Sequence, residues 1–324
     1  MKHTRILLAS GSIGLTCMFA QSAYAAGTVA GTLIQNTATA TYSSGTTNTS
    51  IQSNTVTVKV DELVNVAVTS LTTTPVPAGA AAAVLTYQVT NTGNGSQAFN
   101  LTANPGVSGN VFNTTTQSVA IDTNGNGVYD PGVDTIITNG AAGPAIAPDG
   151  SIKVFVLSNV PTTATDAQTS QVQLTAASTT GIGPAGTLLA GKGTGGVDAV
   201  IGASTGTASA LATVIASLAN ITLTKSAVIA DPFGGTMPVP GATVTYSLLL
   251  HTAGSGTANA VHITDTYPTG TTYQAGTLTL NGAVLTDAAD TDAGTASATG
   301  IDVSLGSVAG GSADKTVTFK VKIN

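Results

Sequence analysis

The chain contains no Trp, one Cys and one Arg, and only 7% of its 324 residues are charged. Each shortage excludes something. Ordinary soluble domains are about 25% charged, so this is not the composition of a typical cytosolic enzyme. The lone guanidinium, Arg5, leaves no cluster to grip phosphate, which excludes the nucleic-acid-binding classes. No apolar run reaches the roughly 18 to 20 residues that cross a bilayer as a helix. Disorder is excluded as well, because 42% of the residues are hydrophobic, whereas disordered chains join low hydrophobicity to high charge.

What is present starts with Lys2 and Arg5, an apolar stretch from Ile6 to Ala20, and Ala23-Tyr24-Ala25. That is the charged, apolar, small-x-small order of a secretory signal peptide, with cleavage expected after Ala25. A lipid anchor at Cys17 fits poorly, since Gly14 and Thr16 stand where such signals carry an aliphatic and a small residue. Cleavage removes the Arg and the Cys and leaves seven Lys against all 15 acids, a net charge of −8. An exported chain without disulfides must rely on ordinary cores or metal ions, and about 300 residues suit two compact domains.

Along the chain the pattern is short alternation punctuated by Gly, Pro and Asn. Thr55-Val56-Thr57-Val58-Lys59-Val60 and Thr316-Val317-Thr318-Phe319-Lys320-Val321 put apolar groups on one face and Thr or Lys on the other. Period two marks half-buried strands, and β-branched Thr suits their outward face. The fold class expected is all-β. Pro75-Val76-Pro77 before Leu85-Thr86-Tyr87-Gln88-Val89 recurs as Pro238-Val239-Pro240 before Val244-Thr245-Tyr246-Ser247-Leu248. Each copy continues through a Gly-rich turn into another strand. Two tandem sandwiches follow, over 61–180 and 217–324, preceded by an N-terminal β-hairpin at 26–60. The nine glycines of 181–206 make 181–216 a Gly-rich connection carrying edge strands, one of them Val197 to Ile201.

The run Val239-Pro240-Gly241, Thr245-Tyr246, Gly254-Ser255-Gly256, Ile263-Thr264-Asp265-Thr266-Tyr267-Pro268 and Lys315-Thr316-Val317-Thr318-Phe319 resembles the bacterial surface repeat known as domain of unknown function eleven. The resemblance covers the last hundred residues well and the first sandwich loosely. It implies an immunoglobulin-like sandwich on an exported, cell-surface or extracellular bacterial protein, and no catalytic activity. Such repeats close with an Asn-Thr-Ala-type strand and a Ser-Asn-Thr-type strand. The sequence ends before them, but Asn36-Thr37-Ala38-Thr39-Ala40-Thr41-Tyr42 and Ser53-Asn54-Thr55-Val56-Thr57-Val58 stand near its start. The C-terminal domain is therefore expected to lack its last two strands. The hairpin at 26–60 could fold back onto that domain, close the first sandwich, or complete the C-terminal domain of a neighbour. The last is strand addition, and head-to-tail contacts of that kind build filaments.

Asp122-Thr123-Asn124-Gly125-Asn126-Gly127-Val128-Tyr129-Asp130 places oxygens at positions 1, 3 and 5, a Gly at 6 and a carbonyl at 7 of a wrapping loop, as calcium requires. Asp122, Asn124, Asn126, Val128 (through its carbonyl), Asp130 and Asp134 are the expected ligands, with Asp134 replacing the bidentate acid absent at Val133. Asx-rich hairpin turns use the same residues without a metal. Asp287, Asp290 and Asp292 form a second acidic cluster, expected to be a solvated loop because no Gly fixes a wrap. His251 and His262 lack a third nitrogen or sulfur ligand and are expected on outward strand faces. The Asn-x-Ser/Thr sites at Asn48, Asn100, Asn113 and Asn220 are incidental in a bacterial chain. The expected protein is a secreted, non-enzymatic structural component of a bacterial surface or matrix, a self-polymer through residues 26–60. A monomeric adhesin for a glycan or a protein is the alternative.

Overall fold

The computed structural model describes residues 27–79 and 81–324; the expected signal peptide at 1–25 lies outside them. Among the described residues there is no α-helix, and no helix long and apolar enough to cross a membrane.

The first strands form one long hairpin. β1 (Leu33–Asn36) pairs antiparallel with β4 (Val56–Lys59), and β2 (Thr39–Ser44) with β3 (Thr47–Gln52). The register shifts by one residue between the two halves, so the second arm bulges at Ser53-Asn54-Thr55. Gly45, at φ 66°, makes the left-handed corner of the tip.

Next come β5 (Glu62–Val64), β6 (Val66–Ser70), β7 (Val76–Ala78), β8 (Ala83–Asn91), β9 (Phe99–Asn104), β10 (Thr115–Ile121), β11 (Thr135–Ile137), β12 (Ser151–Asn159), β13 (Thr169–Ser178), β14 (Leu188–Leu189), β15 (Ala199–Ile201) and β16 (Thr207–Ala216). One sheet runs β11-β10-β12-β8-β6 and the facing sheet β7-β16-β13-β9. In immunoglobulin letters β10-β12-β8-β6 are D-E-B-A and β16-β13-β9 are G-F-C, with β11 added beside D and β7 in parallel to G. Alternation in β8 buries Ala83, Leu85, Tyr87 and Val89 against Leu101, Val172, Leu174 and Val214 of the other sheet. The Tyr87 hydroxyl crosses the core and donates to the Val172 carbonyl of strand F at 2.8 Å. This is a closed immunoglobulin-like sandwich.

Two expectations need correcting. Residues 181–216 are not merely a connection, because β16 within them is the G strand of this sandwich and places Ala212, Val214 and Ala216 in its interior. The first sandwich therefore runs to Ala216. Within the Gly-rich part a strand does form where one was expected at Val197 to Ile201, but β15 covers Ala199–Ile201 and is the central strand of a small sheet, between β14 and β5, not an edge strand. Because the first sandwich supplies its own F and G strands, the hairpin at 26–60 does not close it.

The second sandwich follows after Ser217-Leu218. Its strands are β17 (Ala219–Ala230), β18 (Thr243–Gly254), β19 (Thr257–Thr266), β20 (Thr271–Tyr273), β21 (Thr279–Leu280), β22 (Ala283–Val284), β23 (Gly294–Ala296), β24 (Gly300–Ala309) and β25 (Lys315–Ile323). One sheet runs β17-β18-β25-β21-β22, with β20 also on β25; the other runs β19-β24-β23. β17, β18, β19 and β25 hold the places of A, B, C and E. Leu248, Leu250, Ile263, Val303, Val317, Phe319 and Val321 make the core. The repeated Thr-Tyr steps are not at one level: Tyr87 lies four residues before Asn91, which pairs with Val66, whereas Tyr246 lies six before Thr252, which pairs with Ile221.

Candidate functional site

In the first sandwich β13 sits beside β9 and β16 lies over β6; together they seal strands A and B. Among the described residues, nothing takes those places in the second sandwich. β19 pairs with β24 on one side only, so its other edge presents free N–H and C=O groups. The consequence shows in burial. Ile221, Leu223, Lys225, Ala227 and Ile229 sit opposite Thr252, Leu250, Leu248, Tyr246 and Val244 in register and so face the interior side. Yet Leu223 is 50% exposed, and Ile221 and Ile229 are half-buried. The equivalent Val66 of the first sandwich is buried. Lys225 fills part of the gap, its Nζ 2.6 Å from Asp265 Oδ2 and 4.4 Å from the centroid of Tyr246.

The hairpin is the complement of this opening. Its pairing puts Ile34, Asn36, Val56 and Val58 on one face, continued by Ala38, Ala40, Tyr42 and Ile51, with Gln35, Thr39, Thr41, Thr57 and Lys59 on the other. Ile34 is 50% and Val58 57% exposed, and Tyr42, Ile51 and Val56 are open to solvent as well. A two-stranded ribbon with a bare apolar face does not bury enough to hold itself.

Its base also reproduces the F–G base of the first sandwich. Leu33, Ile34, Gln35 and Asn36 pair with Lys59, Val58, Thr57 and Val56, just as Thr169, Ser170, Gln171 and Val172 pair with Ile215, Val214, Thr213 and Ala212. The closing bonds match too. Gly31 N–H donates to Val60 O and Val60 N–H to Thr32 O, as Ala167 N–H does to Ala216 O and Ala216 N–H to Gln168 O. The apolar hairpin residues Ile34, Val56 and Val58 thus stand where Ser170, Ala212 and Val214 are buried in the first sandwich.

The two junctions are alike as well. The B–C turn of the second sandwich is pinned to the preceding G strand's exit, Gly256 N–H donating to Leu218 O, and Asp166 accepts from Leu218 N–H, Ser255 N–H and Ser255 Oγ. These donors hold the Asp166 carboxyl below the usual carboxylate range. In the first sandwich the B–C turn residue Asn94 accepts from Ala30 and Leu63 N–H and donates to Thr28 O and Asp61 O, at the hairpin's exit.

The residues expected to bind calcium lie in the loop joining β10 to β11. Asp122, with its side chain 2% exposed, accepts from Gly125 and Gly127 N–H and faces Lys153 Nζ at 3.9 Å. Asp134 accepts from Thr123 and Asp130 N–H, and Asp130 from the Asn124 and Asn126 amides, which lower its pKa. Asn126 Oδ1 accepts from Val128 N–H. Among the described residues no three His, Cys, Asp or Glu side chains converge as a cation site. In the second cluster, Asp287 accepts from Tyr273 Oη and Gly276 N–H, and Asp290 and Asp292 accept from Thr286 and from nearby backbone.

The fold does bring together a set that sequence spacing hides. His262 Nδ1 is 2.9 Å from Asp302 Oδ1, and Ser304 Oγ is 3.5 Å from His262 Nε2. His262 and Ser304 are cross-strand partners on β19 and β24. Both members of the His–Asp pair are about half exposed (49% and 48%) on an open sheet face. Water competes there for every hydrogen bond, and a triad needs its base oriented in a sheltered site with oxyanion donors. His251 makes a like surface pair with Asp314 at 2.7 Å.

Strand order and the open second sandwich define the chain as a tandem immunoglobulin-like β protein with one domain incomplete among the described residues. No protein-family model matches the chain, and no curated protein does either. One solved structure, assigned as a membrane-anchored protein from Corynebacterium diphtheriae, aligns at 12% identity and a TM-score of 0.23. The alignment covers 85% of this chain and spans 57% of the other. A score that low carries no argument, so the fold assignment rests on the strand order itself.

Proposed function

We propose that the protein is a non-enzymatic structural subunit of a bacterial cell surface or extracellular matrix, assembled head to tail by strand donation. The hairpin of one copy becomes strands F and G of the next copy's second sandwich. The observation that carries this reading is the match between the two halves: an edge and inner face left open at β17–β19, and a hairpin with a bare apolar face and the register of an F–G pair. The geometry is heterologous, so each added copy presents a fresh open end and the chain of contacts grows as a filament. Within one chain the hairpin pairs with itself and is pinned at its base to the first sandwich, which favours a neighbour over fold-back. An adhesin would need an aromatic-rich patch, and the sequence has only 7 Tyr and 6 Phe.

Purified chain lacking the signal segment is expected to elute as a ladder of oligomers and to show filaments by electron microscopy. Deleting residues 27–60 should leave monomers. Monomers in both preparations would end the reading.

Calcium in the Asp122–Asp134 loop is a separate proposal, carried by the order of oxygen donors. Millimolar calcium added to chelator-stripped protein is expected to raise the melting temperature by several degrees, about what one to two kcal/mol gives a domain of this size. An unchanged melt counts against it.

A further inference from the structure

Resting on the strand-donation reading, the structure assigns a second contact between subunits, outside the groove. We propose that the loop Asp231–Gly241 of the acceptor seats Phe233 and Met237 against the hairpin-bearing end of the donor's first sandwich, beside Val29, Leu63 and Leu188. The loop joins β17 to β18, at the end of the second sandwich where β25 also finishes: Gly241 N–H donates to Ile323 O. It is built to display apolar side chains. Asp231 accepts from the N–H groups of Phe233, Gly235 and Met237, which fixes the turn and keeps the carboxyl below its usual range. With the backbone so held, Phe233 is 89% and Met237 66% exposed. Two large apolar side chains held in solvent by one hydrogen-bonded turn mark an interaction surface.

The occupant follows from how a donated hairpin must enter. In the first sandwich strand F begins and strand G ends at the A–B end, where Ser217 N–H donates to Ala78 O and Val76–Ala78 runs parallel to Val214–Ala216. The Pro-Val-Pro repeat places Val239–Gly241 in the role of Val76–Ala78, and the hairpin register places Val58–Val60 in the role of Val214–Ala216. The donated arms therefore leave the acceptor beside Asp231–Gly241. What emerges there is the hairpin's own root, where Val29, Leu63 and Leu188 are exposed at the end of the donor's first sandwich. The corresponding connection of the first sandwich, between β6 and β8, abuts the linker at Ser217, so close that a Cβ on Gly79 would overlap the Ser217 carbonyl. The connection of the second sandwich has the same length but carries the exposed Phe233 and Met237, and in the proposed contact it makes the same junction with apolar side chains.

The test is the double variant Phe233→Ser, Met237→Ser, with Leu188→Ser as the donor-side counterpart. These side chains are exposed, so the monomer should melt as the unsubstituted protein does. The lowest concentration that yields sedimentable polymer is expected to rise about tenfold or more for each variant, the effect of losing one or two buried apolar side chains. Polymer formed at an unchanged concentration would overturn this contact while leaving strand donation standing. If the unsubstituted protein forms no polymer, the strand-donation reading itself fails and this contact falls with it.

Discussion

A second copy of residues 27–60 appended after Asn324 is expected to convert the polymer into a monomer that melts higher than the unmodified chain. In the first sandwich residues 160–168 join strand E to strand F; in the extended chain, residues 27–32 and a short Gly-Ser linker do the same work. The appended arm meets its groove at an effective concentration no neighbour can match, so it wins the site. Ile34, Tyr42, Ile51, Val56 and Val58, each about half exposed in the free chain, leave solvent, each contributing roughly 1 kcal/mol before ordering costs. The hairpin is already paired, so the ordering cost is small relative to that of a free segment. A net of several kcal/mol raises the melting temperature of a domain this size by about 10 °C or more. An extended chain that still polymerises, or melts no higher, would mean the groove does not take this hairpin.

The second large effect separates assembly from folding. Ile51→Asp together with Val58→Asp, which are not cross-strand partners, should leave the monomer's stability within about 0.5 kcal/mol, because both positions are solvent-exposed in the free chain. In the filament the same carboxylates would be buried without partners, at several kcal/mol each. At about 1.4 kcal/mol per tenfold change, the concentration needed for assembly rises more than about a thousandfold. Thr57→Asp, on the opposite face of the same arm, is the control and should change assembly little. Equal effects on both faces would show that the face, and hence the proposed seat, is wrong.

Much of this fold was legible because alternation is a local property. The strands around Leu85 to Val89, Val244 to Leu248 and Thr316 to Phe319 could be read from period two, as could the hairpin arms at Thr39 to Tyr42 and Thr55 to Lys59. What could not be read is pairing. β16 looked like part of a Gly-rich connection because its interior residues include Ala212 and Ala216, small side chains that give little hydrophobic contrast. The offset between Tyr87 and Tyr246 was hidden because a shift of two residues keeps a side chain on the same face. Asp302, His262 and Ser304 meet only across the β19–β24 register, which no spacing in the sequence encodes. The acidic loop was legible as a motif, but motif order does not determine whether its carboxylates turn to backbone N–H groups or to a cation. Here each has backbone or amide donors of its own.

The central claim is that the hairpin of one copy completes the second sandwich of another, and the chain's own lysines can report it. Lys59 lies on the hairpin, while Lys225 and Lys322 lie on β17 and β25 of the second sandwich. Polymer grown from an equal mixture of isotopically light and heavy protein would be treated with an amine cross-linker and digested. Donation between copies predicts mixed-isotope peptides joining Lys59 to Lys225 or Lys322. Links from Lys59 to those lysines found only within one isotope would show the hairpin folding back on its own chain and would contradict the account.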